Sequence, residues 1–108
     1  MKIYISGPIT NNPRYKEQFA EAAVKIKELG HEPINPVNLQ CVLDPLTTTH
    51  AEYMALCLPL LGICQGIYML EGWQSSKGAV QEFWQAWSND LRIFRRLEEV
   101  SICGTSAI

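Results

Sequence analysis

Apolar positions along the chain change their period several times, and each change marks an element. Lys2 to Ser6 reads KIYIS, a β-branched and aromatic run closed by Gly7-Pro8, which predicts a buried first strand. Phe19, Ala22, Ala23, Ile26 and Leu29 then recur at helical spacing. Asn11-Asn12-Pro13 supplies an Asn cap and a first-turn proline for that helix, and Gly30 closes it. Glu32 to Asn35 reads as a short second strand stopped by Pro36. Residues 36 to 48 lose periodicity and carry prolines and threonines, the mark of a functional loop rather than a plain connection. Thr49, with Glu52 three positions later, is a capping box for a helix bearing Tyr53, Leu56, Leu60 and Leu61, kinked at Pro59. Gly66 to Leu70 (GIYML) is a third strand, followed by a loop over 71 to 77. A helix from about Gly78 to Ser88 and a fourth strand over Leu91 to Phe94 complete the order.

Strands and helices therefore alternate. That order predicts an α/β fold: one flavodoxin- or Rossmann-like domain, with a parallel sheet of about four to five strands flanked by helices. Ligands of such sheets bind beyond the carboxyl ends of the strands. Three loops fall there: Gly7 to Asn12, the loop after Asn35, and Glu71 to Lys77.

Composition narrows the classes. A chain of 108 residues, 47% hydrophobic and 19% charged, fits one ordinary globular core. Its net charge is −2 and its basic residues are scattered apart from Arg95-Arg96, so no nucleic-acid partner is expected. The longest apolar run, Met54 to Cys64, is too short for a membrane span. The stretch MKIYISGPIT lacks a leader's apolar region followed by a cleavage site, so it is expected to be mature protein. The four cysteines, at 41, 57, 64 and 103, form no C-x-x-C pair, and His31 and His50 do not complete a zinc set. Reduced, structural cysteines in a cytoplasmic protein without a metal are the expectation.

The stretch GWQSSKGAVQE, residues 72 to 82, carries the candidate chemistry. Ser75, Ser76 and Gly78 stand where a helix begins, and free N–H groups and the dipole there favour an anion. A serine that simply caps the helix explains the same spacing. Glu82 lies one turn inside, with its side chain directed back toward the loop. Trp73, on the loop itself, could meet a ligand. Val80, Phe83, Trp84 and Trp87 read as core or interface.

Four motifs together resemble a known group: IYISGPIT at the start, Asn35-Pro36 after the second strand, C-x-G-I-Y-M-L-x-G-W, and S-K-G-A-x-x-E. They are similar to a small phage and bacterial family, the DUF4406 type, of the nucleoside 2-deoxyribosyltransferase-like superfamily, and to its deoxynucleoside 5′-monophosphate N-hydrolases. The resemblance spans residues 1 to 94 and sets 95 to 108 apart as a tail, either interface or partly disordered. It implies cleavage or transfer at the N-glycosidic bond of a deoxynucleoside or its 5′-monophosphate. Glu82 would be the nucleophile and Tyr4 the residue that holds it. Ser76 and Gly78 would contact phosphate, with Ser6, Gly7, Pro8, Ile9 and Trp73 also at the substrate. At position 65 relatives usually carry an aspartate that assists the leaving base, and here Gln65 cannot serve as an acid. A catalytically weak nucleotide-binding or sequestering protein is the alternative. The implied partner is a small nucleoside or nucleotide, with no cofactor, and the chain is expected to form a homo-oligomer.

Overall fold

Alternation along the first strand divides the molecule into two cores. In the computed structural model, which describes residues 1–44 and 46–100, β1 spans Lys2–Ser6. Ile3 and Ile5 enter one apolar cluster, and Tyr4 enters the other, as the period of two requires. The helices α1 (Tyr15–Glu28), α2 (His50–Gly62) and α3 (Lys77–Ser88) alternate with β2 (Glu32–Ile34), β3 (Gly66–Met69) and β4 (Arg92–Phe94). The four strands form one sheet in the order β2-β1-β3-β4, every neighbouring pair parallel. Phe19, Ala22 and Ile26 of α1 pack with Ile3 and Ile5. Met54, Cys57 and Leu61 of α2, with Ala79, Phe83 and Ala86 of α3, pack with Tyr4, Ile67 and Met69. The result is three layers, helix–sheet–helix, with β1 and β3 central. Between those two strands the chain order reverses, which opens a crevice at their carboxyl ends.

Local signals set most element ends. The Thr49 hydroxyl accepts the Glu52 N–H and the Glu52 carboxylate accepts the Thr49 N–H, the reciprocal box expected for α2. That helix runs through Pro59 to Gly62. Gly30 ends α1 with φ at +87°, and Gly30 N and His31 N return to Lys27 O and Ile26 O, a Schellman closure. The other end of α1 departs from the reading of the sequence. Arg14, not an asparagine, occupies its cap position and makes no side-chain capping bond. Asn12 instead links the preceding loop to the helix: its amide donates to Pro8 O and Gln18 Oε1, both at 2.8 Å, and its Oδ1 accepts the Arg14 N–H at 3.2 Å. Residues 36 to 48, read as irregular, include a 3-10 turn over Pro36–Cys41, opened by Asn35, whose side chain accepts the Val37 N–H.

The fold also continues past the boundary drawn at residue 94. Leu97–Glu99 form a 3-10 turn, and Val100, 5% exposed, joins Phe94, Ile3 and Ile5 under α1. Residues 101 to 108, including Cys103, lie outside the described residues. Cys41, Cys57 and Cys64 are free thiols. Among the described residues no helix is long and apolar enough to cross a membrane.

Where β1 leaves the sheet, Gly7 is pressed against Leu70. A Cβ at Gly7 would stand 2.7 Å from Leu70 Cβ, so Gly7→Ala forces the two strand exits apart. We expect that substitution to cost about 1–3 kcal/mol, read as a lower urea midpoint with an unchanged slope.

Candidate active site

Strand β1 places Tyr4 and Ser6 on the α2/α3 face, two residues apart and therefore side by side. From α3, Glu82 comes down onto that pair. Ser6 Oγ donates to Glu82 Oε1 at 2.6 Å, and the Tyr4 hydroxyl donates to Glu82 Oε2. All three side chains are buried: Tyr4 and Ser6 have no exposure and Glu82 has 6%. Each carboxylate oxygen thus accepts one hydroxyl and retains a further lone-pair direction.

Burial pushes the Glu82 carboxyl up to about 7 from its ordinary 4.5, against the lowering effect of the Ser6 and Tyr4 hydrogen bonds and of His50. The Tyr4 hydroxyl is driven well above its usual range, by burial and then by the Glu82 charge, so it remains a donor. The Cys57 thiol is raised to about 11, chiefly by burial, with the Tyr4 and Tyr53 hydroxyls acting in the lowering direction. Glu82 is therefore held in a protonation balance near neutrality.

Glu82 lies at the wall of a cavity of about 620 Å³, a size suited to a small organic ligand. Gly7, Pro8 and Ile9 line it from the loop after β1, Pro36 and Gln40 from the segment after β2, and Ser76 and Gly78 from the turn that opens α3. Hydrogen bonds fix the middle wall. Tyr53 donates to Pro36 O at 2.9 Å, and Tyr15 donates to Gln40 Oε1 at 3.0 Å, tying the 3-10 turn to both α2 and α1. Ser76 is the cap of α3: its hydroxyl oxygen accepts the Ala79 N–H at 3.2 Å. The hydroxyl hydrogen of Ser76 and the N–H groups of Lys77 and Gly78 have no partner within the helix. Gly78 gives α2 its close approach, since a Cβ there would stand 3.3 Å from His50 Cε1 and 3.4 Å from Met54 Sδ.

The residues singled out by the sequence thus separate into three groups. Glu82, Gly7, Pro8, Ile9, Ser76 and Gly78 line the cavity, and Tyr4 and Ser6 lie behind Glu82 as its hydrogen-bond donors. Trp73 does not line it: the indole stacks on Phe83 with centroids 4.8 Å apart. Gln65 is at the opposite edge of the sheet. It precedes β3, accepts the Lys2 N–H on its side-chain oxygen at 2.7 Å, and is separated from the carboxyl edge by the whole strand, roughly 13 Å. That position sets it apart from the cavity.

His50, Tyr53, Thr48 and Gln40 line the cavity although no motif drew attention to them. A signal for His50 was present. In a parallel alternation every helix starts at the carboxyl edge, so the first residue after the Thr49 cap had to arrive there. Among the described residues no group of His, Cys, Asp and Glu side chains could hold a metal ion.

Strand order and crevice define an α/β domain of the doubly wound type. Its fold is similar to the solved structure of the 2-deoxyribosyltransferase of Bacillus psychrosaccharolyticus, with a TM-score of 0.68 over 86% of this chain and 69% of that one. The two sequences are 15% identical, so the likeness is one of fold. The chain belongs to the family described as Domain of unknown function (DUF4406), whose model matches residues 1–95. No curated protein matches it.

The raised Glu82 carboxyl carries a stability consequence. The folded state holds that proton to higher pH than the unfolded chain does, so stability falls as pH rises from about 4.5 to about 7. At about 1.4 kcal/mol per pH unit the loss is on the order of 3–4 kcal/mol. Urea unfolding should therefore find Glu82→Gln close to the parent at pH 4.5 and more stable than it at pH 8. A parent protein with flat stability across that window would contradict the buried carboxylate.

Proposed function

We propose that this protein cleaves the N-glycosidic bond of 2′-deoxynucleosides or their 5′-monophosphates, with Glu82 as nucleophile. The observation that carries the reading is the Glu82 carboxylate, buried at the cavity wall with one oxygen on Ser6 and the other on Tyr4. Such a group can approach the anomeric carbon as positive charge develops on the sugar. The two hydroxyls stabilise its charged form and fix its direction. Attack by water on the resulting ester gives hydrolysis, and attack by a second base gives transfer. The fold shared with the 2-deoxyribosyltransferase supports the same chemistry.

The open turn at Ser76 and Gly78 supports recognition of a 5′-phosphate, through the first-turn N–H groups and the dipole of α3. Tyr53 and Phe19, which also line the cavity, supply surface for a base. The reading of the chain as a weak binder drew on Gln65, and its distance from the cavity removes that support. Exposed Trp84 and Trp87, 58% and 62% accessible, favour a homo-oligomer, and the three free thiols fit a reducing, cytoplasmic setting.

The test is base release from a panel of 2′-deoxynucleosides and their 5′-monophosphates. Glu82→Gln should lower the rate by roughly 10³-fold or more. The acid limb of kcat/KM should follow Glu82, with activity rising through an apparent pKa of about 7. Tyr4→Phe removes a bond to the charged form, so its activity should fall and that limb should move to higher pH. Undiminished release by Glu82→Gln would end the proposal.

A further inference from the structure

The sheet topology leaves the departing base without the proton donor that position 65 was expected to mark. The ionisable side chains lining the cavity, among the described residues, are Glu82, Tyr53, Lys77 and His50. Tyr53 is engaged with the Pro36 carbonyl, and burial raises its hydroxyl far above the neutral range. Lys77 is the first residue of α3, on the turn assigned to the phosphate. His50 differs from both. It begins α2, and its Cε1 edge stands over Gly78, one helical turn before Glu82 on the same face of α3. Gln81 Oε1 lies 3.0 Å from His50 Nε2 and, as an acceptor, retains a hydrogen there. Nδ1 is the ring nitrogen that Gln81 does not engage, and an imidazole nitrogen can serve as a general acid.

We propose that His50 is the general acid that protonates the departing base, an assignment that rests on the glycosidic reading of the cavity. As the C1′–N bond breaks, its electron pair moves to the base nitrogen, a Glu82 oxygen bonds to C1′, and the Nδ1 proton of His50 passes to the base. In the second step water adds to C1′, and the C1′–O bond to Glu82 breaks with its pair returning to the carboxylate. The proton released by water restores the imidazolium. Gln81 is a positioning residue, acting on the reaction through the imidazole. The charged and titratable groups around His50 are Lys77 and Glu82 from α3, with Tyr53 and Glu52 on its own helix. Glu52 is occupied by the Thr49 backbone.

Leaving-group dependence separates this role from a structural one. His50→Gln should slow release of guanine from 2′-deoxyguanosine 5′-monophosphate by roughly 10²- to 10⁴-fold. On the N7-methylated analogue, whose base departs without a proton, the same substitution should cost less than about threefold. The alkaline limb of kcat/KM should disappear with it while the acid limb persists. Gln81→Leu should give a smaller loss with the same dependence on leaving group. His50 is exposed at the helix start, so neither substitution opens the core. Equal losses on both substrates, or no loss, would overturn the assignment. So would a KM increase confined to the monophosphate and absent for 2′-deoxyguanosine, which would make His50 a phosphate ligand. Release abolished in Glu82→Gln and untouched in His50→Gln removes only the role of His50. No Glu82-dependent release from the parent protein removes the glycosidic reading and this role together.

Discussion

The arrangement of the whole α2/α3 layer depends on one buried carboxylate. Glu82 would be costly in an apolar cluster if it were unpaired, and two hydroxyls from alternate residues of β1 offset that cost. The pairing fixes how α3 lies on the sheet, because only one placement puts Glu82 over both Tyr4 and Ser6. It also explains a tyrosine and a serine alternating with the isoleucines of β1. Burial and hydrogen bonding act on the carboxyl in opposite directions, and burial wins, leaving it poised near neutral pH.

Around that carboxylate the cavity is assembled from segments far apart in the chain. Asn12 holds the loop after β1 by its bonds to Pro8 and Gln18. Tyr15 and Tyr53 hold the 3-10 turn after β2. Gly78 lets the start of α2 close on the start of α3, which brings His50 beside the Glu82 face. Parallel topology directs all of these pieces to one edge, since each strand must run into a helix that begins there. Aromatic rings finish the outer side, where Phe83 stacks with Trp73 and meets Trp84 edge-on.

Much of this was written in local sequence. The KIYIS alternation, the Thr49/Glu52 box, Gly30 and the α3 periodicity each act within a few residues, so the elements and their order could be read directly. The parallel α/β class followed from that order. Local chemistry also marked the Ser76–Gly78 turn and Glu82, because a serine, a glycine and a glutamate at those spacings have a meaning inside one helix start.

Whatever depended on partners distant in the chain was decided by the tertiary structure. Trp73 could have faced a ligand or the core, and only the presence of Phe83 beneath it settled which. Asn12 resembled a helix cap until the Pro8 carbonyl proved to be its partner. Val100 belongs to the core because α1 and β1 leave an apolar space for it, which no period in the tail announces. Gln65 and His50 exchanged significance for one reason: a residue before a parallel strand lies at the amino edge, and one that opens a helix lies at the carboxyl edge. Sequence determined the elements and the helix that carries Glu82. The sheet determined which side chains share a cavity with it.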